Sequence, residues 1–146
     1  MTASLTLEGP AGPSPVGRPV PIRVELRNEG PGELWITGVL DGSETGTRYP
    51  IWRPSVRLGS VVVAQPPAAE DPLVGPLRES DFRRLATFAL FAPAEPGTYV
   101  YGLELSTDSP SPEAWLGRFN QDRAVLDLVA RVPRFRARGE VAVEVA

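Results

Sequence analysis

Val20, Ile22, Val24 and Leu26 alternate with Pro21, Arg23, Glu25 and Arg27, four matches out of four to a period of two. That period places one residue set on each face of a half-buried strand, and no helix presents it. Pro21 has no amide donor, so it belongs at the strand start or at a sheet edge. The alternation returns at Tyr99, Tyr101, Leu103 and Leu105, set against Val100, Gly102 and Glu104, and again in VAVEV at the end of the chain. Before Tyr99, Pro96 presets φ and Gly97 tolerates a positive one, as a tight corner requires. A chain built this way is all-β.

Read in order, SLTLE gives a first short strand and GPAGPSPVGRP a turn-rich connection. The strand ending at Leu26 runs into the loop NEGPGE, and Leu34–Leu40 forms the next, with Leu34, Ile36 and Leu40 on one face and Trp35, Thr37 and Val39 on the other. DGSETG turns the chain. It has too few alternating ligands for a calcium loop, so a hairpin turn is the reading. Tyr49–Leu58 and Val61–Ala64 are strand-like pieces interrupted by Pro50, Pro54 and Gly59, which predicts edge character or a bend. Residues 65–81 carry four prolines and no period, a long connection of the kind that is commonly functional. Phe82–Phe91 reads as a strand. Ser111, Pro112 and Glu113 have the form of a helix start and predict a short helix over 112–119. Residues 124–132 fit helix or strand. Phe135 and Ala137 then alternate with Arg134, Arg136 and Arg138. Eight or nine strands with one short helix in the 106–123 insertion make a single-domain, two-sheet antiparallel sandwich over residues 1–146.

Absent residue types narrow the chemistry. The chain has no Cys, hence no disulfide framework or thiol nucleophile, and no His, hence no Ser-His triad. All 15 basic residues are Arg, so Schiff-base and P-loop lysine chemistry are excluded. The reading is non-enzymatic, with no catalytic residues, cofactor or metal. The net charge of −3 argues against broad nucleic-acid binding. No basic-then-apolar leader opens the chain and no long apolar run follows, so the expectation is a soluble cytoplasmic protein without membrane insertion, or an exported one whose signal is absent from this chain.

VPIRVELRNEGPGELWI resembles the second and third strands of bacterial immunoglobulin-like domains, in which an alternating strand ends in Asn-x-Gly. EPGTYVYGLEL, with Pro96, Gly97, Thr98 and Tyr99, resembles their later corner and strand. The resemblance implies an immunoglobulin-like sandwich and no particular activity. A fainter similarity is to the sandwich of BsuPI-type intracellular proteinase inhibitors, and no inhibitory motif carries over. In such folds a tyrosine placed like Tyr99 bonds back across its corner.

Two sets of residues are candidate partner sites. Arg134, Arg136 and Arg138 are spaced for one strand face, and residues 118–138 hold six Arg against Asp122 and Asp127, a net +4 beside −7 for the remainder. That map suits an acidic partner or self-association; alternatively the charges simply protect an edge strand. Trp52 and Trp115 sit beside prolines, where an indole stacks on a sugar or anchors a protein, or else covers the end of its own sandwich. The sequence therefore points to a non-catalytic binding or structural module acting through protein contacts at its loops or strand edges. Carbohydrate binding through Trp52 and Trp115 and proteinase inhibition through a 72–76 loop are the alternatives.

Overall fold

The computed structural model describes residues 2–37, 52–64, 74–77, 82–85, 88, 91–107, 123, 126–127 and 130–146. Nine strands follow one another: β1 (Ala3–Glu8), β2 (Arg23–Asn28), β3 (Leu34–Thr37), β4 (Trp52–Leu58), β5 (Val61–Ala64), β6 (Val74–Leu77), β7 (Phe82–Leu85), β8 (Gly97–Ser106) and β9 (Arg136–Val145). They form a three-stranded sheet β1-β2-β7, a four-stranded sheet β5-β4-β8-β9 and a two-stranded ribbon β3-β6, with every strand pairing antiparallel.

The period-two faces place the core. Leu5 and Leu7 of β1 and Val24 and Leu26 of β2 turn inward from one sheet, and Val56, Tyr99, Tyr101, Leu103, Leu105, Val143 and Val145 from the other; all are buried in one cluster. The antiparallel sandwich expected from the alternation is the fold observed. The layers touch most closely where β1 crosses β9: a Cβ at Gly139 would stand 2.7 Å from the Leu5 carbonyl oxygen and 2.8 Å from Leu7 Cδ1. Only a residue without a side chain permits that approach.

Both fragments that carry the family resemblance have a physical role. Asn28 closes the loop after β2, its Oδ1 accepting from the Gly30 amide at 3.1 Å and its Nδ2 donating to the Gly32 carbonyl at 2.8 Å. Such Asx geometry replaces the ladder bonds that end with the strand. At the later corner Gly97 has a φ of 151°, and a Cβ there would meet Leu58 Cδ1 at 2.7 Å. The Tyr99 hydroxyl donates to the Glu95 carbonyl at 2.8 Å, bonding back over the corner as expected. Beside it Tyr101 is fully buried, edge-on to Phe88 with ring centroids 5.2 Å apart.

Several boundaries differ from the sequence reading. β2 begins at Arg23, after Pro21. Val74–Leu77, inside the proline-rich stretch read as connection, pairs with β3, Pro76 opposite Trp35. The strand expected over 82–91 ends as β7 at Leu85, and Phe88 takes a φ of 68°, which a strand cannot hold. Pro54 lies inside β4, beyond the Val56–Leu58 stretch that β5 covers, so among the described residues it is paired with β8 alone. β9 is one continuous strand through Gly139. Within 124–132, Leu126 and Asp127 are helical and Ala130 donates to the Leu126 carbonyl at 3.0 Å. The 41–46 turn and the helix expected over 112–119 lie outside the described residues.

Thr107 ties the end of β8 to the approach of β9. Its amide donates to the Phe135 carbonyl at 2.9 Å, and its hydroxyl accepts from the Phe135 amide at 2.7 Å and donates to the Pro133 carbonyl at 2.6 Å. The side chain is buried with its one donor and one of its acceptor sites used, so the latch is specific as well as stabilising.

Candidate functional site

The four-stranded sheet has two unlike edges. β4 turns through Gly59 and Ser60 and returns as β5, with Leu58 opposite Val61, Arg57 opposite Val62, Val56 opposite Ala64, and a register shift between Val56 and Arg57. The edge character and the bend expected from the sequence are both present. Among the described residues β5 pairs with β4 alone. Val61, Val62 and Val63 are 62%, 51% and 41% exposed. Val61 and Val62, in regular register with β4, point to opposite faces, so the edge is bare on both. From Gly59 to Ala64 there is no charge. An uncharged β-branched edge with its outward amides and carbonyls unpaired is a template for another strand.

The opposite edge, β9, is protected. Arg136, Arg138, Glu140 and Glu144 are exposed along it. The Arg138 guanidinium donates to Glu140, which Arg57 also reaches at 3.4 Å, and the Thr98 hydroxyl donates to Glu144. Its C-terminal end is sealed by Ser14, whose amide donates to the Glu144 carbonyl while its own carbonyl accepts from Ala146, both at 2.9 Å. Charge at the rim and a paired end are the usual ways of closing an edge.

Of the arginines singled out from the sequence, Arg136 and Arg138 lie within β9, whereas Arg134 is exposed but precedes the strand, so the three do not share one strand face. Strand pairing begins at Ser106↔Arg136, and just before it Thr107 holds Phe135 through both its amide and its hydroxyl. Arg131 stands 4.9 Å over the ring of Trp35, which is partly buried against the core. The backbone of Trp52 opens β4 opposite Leu105; its side chain and all of Trp115 lie outside the described residues. The described part of the 72–76 segment, Val74 to Pro76, is strand β6 rather than a presented loop.

Two open grooves lie among the described residues. One, of about 180 Å³, crosses β4, β8 and β9 over Gly102, with Arg53, Ser55, Glu104 and Arg138 around it. Its mixed charges favour no single ligand. The other, of about 380 Å³, lies at the β1–β2 end between Pro10, Pro21 and Ile22, beside the Glu8–Arg23 ion pair at 3.6 Å. In the core, the Tyr101 hydroxyl has no hydrogen-bond partner among the described residues, and burial, with the neighbouring Tyr99 adding to it, raises its pKa to about 12. A neutral phenol sealed from solvent is not a proton-transfer group at ordinary pH. Among the described residues no three acidic side chains converge as a metal site needs, and no helix is long and apolar enough to cross a membrane.

No protein-family model and no curated protein matches the chain. Among solved structures it is similar to the CARDB domain of a Pyrococcus furiosus protein, solved in complex with di-metal ions. The match has 13% identity and a TM-score of 0.42, and covers 99% of this chain and 87% of the other. The sandwich is established by the strand pairings above and not by this likeness.

Proposed function

We propose that the chain is a non-catalytic protein-binding module that engages its partner by strand addition at β5. One observation carries this reading: three consecutive valines exposed at an uncharged, open edge, in a sheet whose other edge is closed by charge and by Ser14. Main-chain bonds supply affinity in such contacts, and alternate side chains supply specificity. The absence of His, Cys and Lys agrees with a role that needs no acid–base or nucleophilic group. Arg136 and Arg138 belong to the opposite edge and are assigned to its protection rather than to the primary contact. No described feature favours sugar binding or inhibition over strand addition.

The test is site-specific photo-cross-linking in cells, with the photoreactive residue at position 62 and, as control, at Ala142 on β9. A discrete protein adduct at 62, absent at 142 and lost on adding Val63→Lys, is expected. Equal adducts at both positions, or none at 62, overturns the reading.

A further inference from the structure

We infer that the strand added at β5 is β5 of a second copy of this chain, giving a two-fold dimer with one continuous eight-stranded sheet. The inference rests on the β5 reading above and deepens it by naming the occupant.

Three observations select a second copy. First, the edge is self-complementary. In antiparallel pairing about Val62, Val61 faces Val63 of the other copy, Val62 faces itself and Ala64 faces Ser60, so valine meets valine at the centre and no charge is brought into the contact. Cross-strand pairs of this kind are favourable.

Second, the electrostatics permit it. The nearest cation, Arg57, sits opposite Val62 on β4 and is already engaged by Glu140 at 3.4 Å. In the dimer the two Arg57 side chains would lie three strand spacings apart, roughly 14 Å. That exceeds the screening length of about 8 Å at physiological salt.

Third, the sheet is one-sided. β9 is closed by Ser14 and by its own charges, so within this sheet a copy that has joined through β5 offers no second edge for growth. An isologous contact through β5 therefore closes on itself instead of running on as a fibre. The pairing uses up an edge that would otherwise invite aggregation. Because β5 is only four residues long, the contact is small and the dimer reversible.

Sedimentation equilibrium of the full chain from micromolar to millimolar concentration tests this, alongside Val62→Lys and the milder Val62→Thr. The expected result is a monomer–dimer equilibrium with no higher species. Val62→Lys should weaken it at least tenfold and Val62→Thr should retain it, with thermal melting of the diluted monomers unchanged. A wild-type chain that stays monomeric throughout overturns the dimer. So does a dimer that survives Val62→Lys, which places the contact elsewhere. The cross-linked product at position 62 separates the two readings. An adduct at twice the chain mass is the dimer, whereas a discrete adduct of another mass refutes the dimer and keeps strand addition.

Discussion

The Leu5 carbonyl oxygen lies where it would stand 2.7 Å from a Cβ on Gly139, so the two layers meet backbone to backbone at this crossing. Gly139→Ala is therefore expected to push β1 away from β9 and cost about 2–4 kcal/mol, in the range of overpacked and strained core sites. Gly102→Ala, whose Cβ would meet nothing nearer than Ser55 Oγ at 3.4 Å, is the control and should be neutral or slightly stabilising. Urea unfolding of both variants checks the pair. Equal losses would mean that the crossing is not what requires glycine.

The two tyrosines of β8 should respond oppositely to loss of their hydroxyls. Tyr99→Phe removes the bond to the Glu95 carbonyl and is expected to cost about 1 kcal/mol. Tyr101→Phe removes a buried hydroxyl with no partner among the described residues, so stability should hold or rise. Denaturation midpoints measured side by side decide it, and a larger loss at Tyr101 would mean that its hydroxyl has a partner in solution.

Alkaline unfolding has a defined window. The folded Tyr101 pKa lies at about 12, above its ordinary value of 10.0. Between these values the unfolded chain binds fewer protons than the folded one at this site, so stability falls as pH rises. Below about pH 9 the group has almost no effect. Melting curves from pH 9 to 12 should show this decline in the wild type and less of it in Tyr101→Phe, and identical slopes would refute the assignment.

Thr107→Val keeps the shape of the side chain and strips the Phe135 amide of its acceptor. A buried amide left unpaired costs about 1–3 kcal/mol. Hydrogen exchange at the Phe135 amide should accelerate by more than global destabilisation alone allows. Unchanged exchange would show that water or another group replaces the hydroxyl.

The parts of the fold legible in the sequence are those whose cause is local. Val24 and Leu26 point inward because period two is a property of any half-buried strand, and Tyr99 and Asn28 bond within four residues of themselves. What escaped detection depends on distant chain. Val74–Leu77 is a strand only because β3 pairs with it, against its own Gly75 and Pro76. Phe88 leaves the β region in a run that reads as strand, and its buried ring fits against Tyr101, 13 positions away. At the candidate site, Val61–Ala64 announces a strand and even an edge, but three valines in a row look the same whether buried or bare. Their exposure follows from which strands are not beside them. Likewise Arg138 and Glu140 are neighbours by spacing, while the second cation on Glu140 comes from Arg57, 83 residues earlier.

The Thr107 latch also has an evolutionary reading. It fastens the chain at Thr107, Pro133 and Phe135, so the sheet is joined on both sides of residues 108–132. The entropy of closing a loop grows only with the logarithm of its length. A change of length between such fixed posts therefore costs the sandwich little, provided that Val132, buried in the core, and Arg131, stacked on Trp35, are kept. The latch makes that position a graft point, where the scaffold could acquire new specificity without having to be refolded around it.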